Sequence, residues 1–399
     1  MKVIYSGQAI PDTFTKALFL GGPTPRKSDV QSWRPEALSV LELLGYDGVV
    51  FIPEFIPENP PKSGKVFNDW EKHKDYDGAV GWEEECLRMA DCILFWIPRD
   101  LNNMPAFTTN DEWGTWKYSG KTVLGAPDTA PKVKYQKHYA EQLKVPFANT
   151  LTKTVKNAID MVSNGVLREK GERFIPLMIW NTVQFQSWLD QQKEVGNHLE
   201  GAEVLWNFRV GPEKDFVFAY TIKVNVYVKA EDRYKDNEFV FFRTDISCVV
   251  LYRKATDPKD TELVLIKEFR SPVRNKHGFV YEAAGGSSHK SSQNAREVAA
   301  QEVFEETGIK LNPGRFRVFK SRQVAATVST HHAFMYAVEL TEEEMAYAKK
   351  AEVEGKMFGD YVDGGSEQTY IKVATVDDVL ESRLPIDWAM TGMILRAVA

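Results

Sequence analysis

Hydrophobic residues in the first 130 positions form short uninterrupted runs, separated by amphipathic stretches. Four such runs occur, at 17–20, 48–53, 92–98 and 122–125. Apolar runs of this length, bounded by turn residues, are typical of buried strands. The intervening stretches 33–44, 82–89 and 112–118 predict helices, the first with its apolar residues on one face and Gly45 at its end. Alternating strands and helices predict a doubly wound parallel sheet, whose ligands bind at the carboxyl ends of the strands.

The pattern changes beyond residue 150. Residues 176–195 have helical spacing, and we expect this helix to join the two halves or to close a substrate pocket. Strands are predicted at 203–208, 216–228, 246–252, 263–266 and 278–281. We therefore predict an α/β fold for residues 1–160, a helical linker at 161–200 and an α+β domain at 201–399.

Three glutamates stand at helical spacing in the C-terminal half. Glu302, Glu305 and Glu306 occupy positions i, i+3 and i+4, so a helix places them on one face. Like charges at this spacing cost an isolated helix about 0.2–0.5 kcal/mol per pair. A hard divalent cation, Mg²⁺ or Mn²⁺, would offset the repulsion. A solvated acidic face is the commoner outcome, but the paired glycines Gly285 and Gly286 and the apolar strand upstream favour a metal site.

This segment resembles the Nudix box, whose second half is matched by residues 302–309. Gln301 stands where the family has arginine, and Gln293 where it has an early glutamate. The spacing from Gly286 to Gln301 is also one residue longer than the family's. The resemblance implies that Glu302, Glu305 and Glu306 bind the metal and that Glu305 takes part in catalysis.

The flanking residues resemble the ADP-ribose pyrophosphatase branch of the same superfamily. The match lies in residues 267–273 and 282–286, with Ala284 where the branch commonly has proline. It implies that Arg270 and Glu282 lie near a diphosphate substrate, although a surface ion pair is an equal alternative for Arg270. Glu367, just before a late strand, is a further candidate carboxylate.

The N-terminal half resembles the nucleoside 2-deoxyribosyltransferase-like family over roughly residues 15–150. The motifs that carry the resemblance are at 18–23, 82–83, 90–99 and 107–114. It implies that Glu112 is the nucleophile that attacks the anomeric carbon and that Glu83 handles the leaving base. Ala106 stands where the family has a second aspartate. We predict that Gly21, Gly22 and Asp91 bind substrate.

Each candidate acid also has a structural alternative. Glu112 could be a first-turn acid that complements the helix dipole. Glu83 has Glu84 and Glu85 beside it, so a solvated acidic cluster is an equal alternative.

Composition narrows the class of partner. A net charge of −6 with no long basic run argues against nucleic acid, and no apolar stretch approaches the length of a membrane span. Three widely spaced cysteines are typical of reduced thiols in a cytoplasmic protein. A small nucleoside or nucleotide is the expected partner, and the two resemblances favour a homodimer.

The leading hypothesis is a bifunctional enzyme that acts on an N-glycosidic bond and on a nucleoside diphosphate linkage. A substrate with both bonds, such as NAD or an ADP-ribose derivative, would connect the activities. The substitutions at Gln301, Gln293 and Ala106 favour an alternative, a nucleotide-sensing protein in which one or both domains are inactive. A third hypothesis is that the transferase-like domain alone is active.

Overall fold

The computed structural model describes residues 1–27, 29–55, 76–287, 295–359 and 367–399. The helices are α1 (Arg34–Leu43), α2 (Tyr76–Met89), α3 (Phe107–Trp116), α4 (Lys134–Leu143), α5 (Leu151–Val162), α6 (Leu177–Trp180), α7 (Val183–Glu194), α8 (Ala295–Thr307), α9 (Glu342–Val353), α10 (Val376–Leu380) and α11 (Trp388–Val398). The strands are β1 (Lys2–Tyr5), β2 (Thr13–Phe14), β3 (Ala17–Gly21), β4 (Val49–Ile52), β5 (Cys92–Trp96), β6 (Thr122–Gly125), β7 (Phe147–Ala148), β8 (Arg168–Glu169), β9 (His198–Val210), β10 (Phe216–Val228), β11 (Arg233–Arg243), β12 (Ile246–Arg253), β13 (Glu262–Phe269), β14 (Phe279–Glu282), β15 (Arg317–Val318), β16 (Arg322–Gln323), β17 (His332–Glu339), β18 (Met357–Phe358) and β19 (Thr369–Thr375). The chain divides into two compact units, Met1–Phe242 and Arg243–Ala399.

Unit 1 is built on a parallel six-stranded sheet, in the order β1-β4-β3-β5-β6-β7. Alternate residues of β3 enter opposite cores: Leu18 and Leu20 pack on the side of α1 and α5, while Ala17 and Phe19 pack on the side of α2, α3 and α4. Helices therefore cover both faces, and the prediction of a parallel α/β sheet is confirmed. Because both faces are buried, the strands read as uninterrupted apolar runs.

A three-stranded sheet, β11-β10-β9, completes unit 1, and its strands β9 and β10 are antiparallel. We expected these strands to belong with the C-terminal half, from residue 201. The structure differs because their apolar face packs on α7: Tyr220 and Phe242 stack with ring centroids 4.8 Å apart and share a core with Phe185. The Thr182 hydroxyl lies 2.7 Å from the Tyr220 hydroxyl.

The helix expected at 176–195 is two helices, α6 and α7. Thr182 separates them, because its side chain accepts a hydrogen bond from the backbone N–H of Phe185 and so caps α7.

Unit 2 contains an eight-stranded mixed sheet, in which β12 pairs in parallel with β17 and antiparallel with β13. α8 and α9 pack on one face of the sheet, and α10 and α11 on the other. Alternation along β17 separates the faces, since Tyr336 and Val338 point to the first core and Met335 and Ala337 to the second. No helix in the described ranges is long and apolar enough to span a membrane.

Candidate active site

In unit 1 the strand order reverses at β3, and we call the carboxyl ends of β3 and β5 the crevice of the sheet. The chain runs from β3 to β4 on one side and later to β5 on the other. Ligands of such sheets bind at the carboxyl ends of the two strands where the direction changes. The segments that follow β3 and β5 border this point, and the backbone N–H of Arg26 joins them by donating to the carbonyl of Asn103 at 2.9 Å.

Gly21 and Gly22, both predicted to bind substrate, lie at this end of β3. Gly22 has no room for a side chain, because a Cβ there would collide with the carbonyl oxygen of Trp96 and lie 2.7 Å from the ring of Trp33. A Cβ on Gly21 would lie 3.0 Å from the ring of Phe95. The glycines thus allow the segments after β3 and β5 to approach closely at the crevice.

Glu83 of α2 and Glu112 of α3 meet on the side of the sheet that these helices cover. Their carboxyl groups share a hydrogen bond, and both side chains keep partial exposure. Burial, then the charge of Glu83 and the hydrogen bond with it, raise the pKa of Glu112 well above its usual value. Burial also raises the pKa of Glu83, while the hydrogen bond with Glu112 lowers it. The pair therefore keeps a proton at pH values where two isolated carboxyls would both be ionised.

Aromatic contacts fix the two helices that carry these acids. Trp113, next to Glu112, is buried with its ring edge-on to Phe95 of β5 at 5.6 Å. Trp82, next to Glu83, lies edge-on to Phe51 of β4 at 6.4 Å. Glu83 and Glu112 thus each stand next to a tryptophan that packs against a phenylalanine of the central sheet.

Lys121 and Arg34 are buried cations of unit 1 that were not identified from the sequence. Lys121 donates to the carbonyls of Leu87, Arg88 and Ala90 at 2.7–2.8 Å, and so caps the C-terminus of α2. Arg34, only 1% exposed, pairs with Glu54 at 2.6 Å. The pattern Arg34–Pro35 marks a helix start in the sequence, but nothing local indicates that the guanidinium is buried.

Asp91, predicted to bind substrate, has a different place in the structure. Its carboxylate is fully buried in an ion pair with Arg168, whose side chain is also 0% exposed. The carboxylate accepts bonds from two guanidinium nitrogens at 2.6 and 2.8 Å and from the N–H groups of Ala17 and Leu177 at 2.8 and 2.9 Å. These four bonds leave it no access to a ligand, so the prediction for Asp91 disagrees with the structure.

In unit 2, Glu302, Glu305 and Glu306 share α8, with Gly285 and Gly286 against its inner side. The N–H of Gly285 donates to Glu306 at 2.9 Å, and a Cβ on Gly286 would lie 2.6 Å from Glu302 Oε2. Burial, then the charges of Glu305 and Glu367, raise the pKa of Glu302 to about 7. Burial also raises the pKa of Glu306 well above its usual value.

These carboxylates are the donors that a hard divalent cation prefers, and a cation would relieve their repulsion, so the donor set fits Mg²⁺ or Mn²⁺. Across the described ranges, however, no group of three or more His, Cys, Asp or Glu side chains is already arranged to hold a metal ion. Gln293 lies outside the described residues.

The neighbouring residues expected at a diphosphate site also come together. Arg270 forms ion pairs of 2.9 Å with Glu268 and with Glu282 and remains 42% exposed. Gln301, in the position of the family's arginine, donates from Nε2 to Glu305 at 2.6 Å. The ion-pair alternative for Arg270 thus agrees with its contacts, and Gln301 orients Glu305 without supplying a charge.

A cavity of about 430 Å³ lies on the opposite face of the unit 2 sheet, beside α11. Its lining includes the aromatic residues Phe319 and Trp388 and the cations Lys320, Arg322 and Arg396. None of these cations forms an ion pair within the part of the chain that is described. An anionic ligand with a planar ring would suit such a lining.

Unit 1 is an α/β domain with a parallel central sheet, on which α2 and α3 bring together two carboxyls with raised pKa values. Residues 15–130 match the family model described as nucleoside 2-deoxyribosyltransferase like. The match covers β3 to β6 and contains both Glu83 and Glu112. No curated protein was found to match the chain.

Proposed function

We propose that unit 1 cleaves or transfers the N-glycosidic bond of a nucleoside or nucleotide, with Glu112 as nucleophile and Glu83 as the acid that serves the leaving base. The observation that carries the proposal is the hydrogen-bonded, partly exposed carboxyl pair that α2 and α3 bring together. The family match supports the same reaction class.

The pair can supply both groups that the reaction needs, because it holds one proton between two carboxyls. Glu112 as carboxylate attacks the anomeric carbon, and the electron pair of the breaking C–N bond goes to the base. Glu83 gives its proton to that nitrogen. Water or an acceptor base then attacks the sugar ester, gives its proton to Glu83 and releases Glu112. The hydrogen bond between the two carboxyls gives this proton a path to Glu83, which leaves Glu112 as the carboxylate.

A product panel tests this proposal. The whole protein is incubated with ribonucleosides, deoxyribonucleosides, their monophosphates and NAD, and free base is resolved by chromatography. Glu112→Ala should abolish base release and Glu83→Gln should reduce it by about 10²–10⁴-fold, as loss of a general acid does. Glu85→Gln is the matched control, since Glu85 is an exposed carboxyl of the same helix. Equal base release by Glu112→Ala and wild type would refute the assignment.

For unit 2 we propose hydrolysis of a nucleoside diphosphate linkage, with Glu302, Glu305 and Glu306 as ligands of Mg²⁺ or Mn²⁺. The raised pKa of Glu302, caused first by burial and then by its carboxylate neighbours, supports it. The bound ion would polarise the phosphoryl oxygens and lower the pKa of the attacking water. A substrate with both bonds, such as NAD or an ADP-ribose derivative, would serve both units.

The test for unit 2 combines binding and turnover. Mg²⁺ should raise the melting temperature of wild type, and AMP should appear from ADP-ribose; both effects should be lost in Glu302→Gln. Glu297→Gln, an exposed acid in the first turn of the same helix, is the control. Binding of ADP-ribose without turnover, with or without Mg²⁺, would refute hydrolysis.

A nucleotide-sensing function is the second candidate, and the cavity beside α11 favours it. Calorimetry with AMP and ADP-ribose tests this function. Trp388 lines the cavity and is 89% exposed, so Trp388→Ala should weaken binding without disturbing the core. Unchanged binding by that variant would exclude the cavity as the sensing site.

Two further properties are proposals. The three cysteines, all buried free thiols, support a reducing compartment such as the cytoplasm. The homodimer is to be tested by light scattering of the whole protein.

A further inference from the structure

Arg34 connects the ends of two central strands beneath the crevice. It is the first residue of α1, and its side chain is 1% exposed. Its Nε donates to the carbonyl of Leu20 at 3.1 Å and its Nη2 to the carbonyl of Gly22 at 2.8 Å. Its Nη1 donates to Glu54, two residues beyond β4, at 2.6 Å. One guanidinium therefore holds the glycine turn after β3 against the segment after β4.

The positive charge of Arg34 also acts on both carboxyls of the candidate site. It lowers the pKa of Glu83 and of Glu112, against the larger effect of burial. Among the described residues that shift either pKa most, Arg34 is the only cation. Two further described groups interact with the pair through their charge: Asp111 raises the pKa of Glu112, and Glu83 adds to the effect of burial and Glu85 in raising the pKa of the Cys86 thiol.

Glu54 moderates this charge. Its carboxylate is bound to Arg34 and to the hydroxyl of Ser32 at 2.9 Å, and it remains 16% exposed. A buried arginine without this partner would carry an uncompensated charge, at a large cost in stability. Arg34 thus acts on the site as a cation that is neutralised only in part.

We propose that Arg34 is a positioning residue of the Glu83–Glu112 site: it fixes the glycine turn after β3 and supplies the positive charge beside which Glu112 can act as a carboxylate. The inference rests on the proposed function of the pair. It adds that the Arg34–Glu54 ion pair, which does not include the reacting atoms, helps to set the pH range over which Glu83 and Glu112 share a single proton.

The test compares the pH dependence of kcat/KM among variants of the whole protein. Arg34→Met removes the charge, so both limbs of the profile should move to higher pH. At pH values well below the acid-side midpoint of wild type, a shift of one pH unit should lower kcat/KM about tenfold. Glu54→Gln leaves the arginine charge uncompensated, so the profile should move to lower pH. Arg34→Lys keeps the charge and should keep the pH limbs while lowering kcat/KM.

Arg168→Met is the matched control. Arg168 is a fully buried arginine of the same unit that also binds a carboxylate and backbone carbonyls, but its charge does not act on Glu83 or Glu112. It should lower the melting temperature and leave the pH limbs in place. Equal shifts in Arg168→Met and Arg34→Met would overturn the proposal, because they would show a general effect of loosened packing.

A second measurement separates this proposal from the proposed function. Carbon-13 NMR of glutamate-labelled protein, assigned with Glu112→Gln and Glu83→Gln, follows the titration of the pair without any substrate. If wild type releases no base from any compound, the titrations still decide the role of Arg34. If Arg34→Met does not fold, Glu54→Gln alone decides, and a titration unchanged in that variant overturns the proposal.

Discussion

Replacing Asp91 by asparagine tests whether this residue stabilises the fold or binds substrate. Asp91 precedes β5, and its carboxylate holds Arg168 and the N–H groups of Ala17 and Leu177. Asparagine keeps the shape of the side chain but has only one acceptor oxygen, and its amide group would face the guanidinium. The change therefore leaves the Arg168 charge buried and unpaired.

The magnitude follows from the complete burial of the pair. Breaking a buried ion pair by removal of one partner costs about 3–5 kcal/mol. In a unit of this length, Met1–Phe242, each kcal/mol shifts the melting temperature by about 2–4 °C. Asp91→Asn should therefore lower the melting temperature of unit 1 by about 6–20 °C.

The assay is thermal unfolding of wild type, Asp91→Asn and a control. KM for the compound that releases base in the product panel is measured for each at 20 °C. Asp47→Asn is the control, because Asp47 also pairs with a cation, Lys16 at 2.7 Å, but is 76% exposed. It should change the stability by less than about 0.5 kcal/mol. Asp91→Asn should keep the wild-type KM while it remains folded. A melting temperature within 2 °C of wild type together with a tenfold higher KM would refute the structural role and restore substrate binding.

Three further predictions concern the crevice. Burial first, and then Glu83, raise the pKa of Glu112 in the folded protein. The stability that this side chain contributes is therefore fully present below the pKa of an unfolded glutamate and is lost as the pH rises through the raised pKa. Calorimetry should therefore show Glu112→Gln melting about 2–4 °C above wild type at pH 8, with the difference vanishing near pH 4; a constant difference would contradict the pKa direction. Gly22→Ala should cost about 1–3 kcal/mol in denaturant unfolding because its Cβ collides with Trp96, whereas Gly81→Ala, in open space on α2, should be neutral or stabilising. The pH profile of kcat/KM should be bell-shaped in wild type and should lose its alkaline limb in Glu83→Gln, since that variant has no proton to give; an intact limb would move the acid to another group.

The central sheet could be predicted from the sequence because its signal is local. The runs at 17–20, 48–53, 92–98 and 122–125 correspond to β3, β4, β5 and β6, since strands buried on both faces are apolar at every position. The start of α3 was placed five residues late, at 112 instead of Phe107. The N-cap residue before it, Ala106, has a left-handed backbone, φ 61°, and makes no side-chain capping bond, so no start signal marks this helix in the sequence.

The contacts that organise the site could not be predicted, because they join residues far apart in sequence. Asp91 and Arg168 are 77 positions apart, and Arg34 and Glu54 are 20 apart. A charged residue in the sequence predicts exposure, and only the folded chain shows that its partner is buried beside it. The domain boundary was wrong for a different reason. The alternating pattern of β9, β10 and β11 does not show what covers their apolar face, and in the structure α7, which ends just before β9, covers it.

The same two effects raise the pKa of a glutamate in both proposed reaction centres. In each, burial raises the pKa of a glutamate, and a second carboxylate nearby raises it further: Glu83 acts on Glu112, and Glu305 acts on Glu302. Such groups reduce stability at neutral pH, so their presence in one crevice or on one helix face indicates a task for the proton or for a cation. The difference lies in what balances the charge. In unit 1 the positive charge of the buried Arg34 partly balances the two carboxyls, so that the pair holds one proton that can move between them. On α8 the position next to Glu302 is Gln301, whose amide binds Glu305 without neutralising it. If both proposals hold, the Glu83–Glu112 pair would work with its own proton, whereas the α8 carboxylates would need a cation from solution.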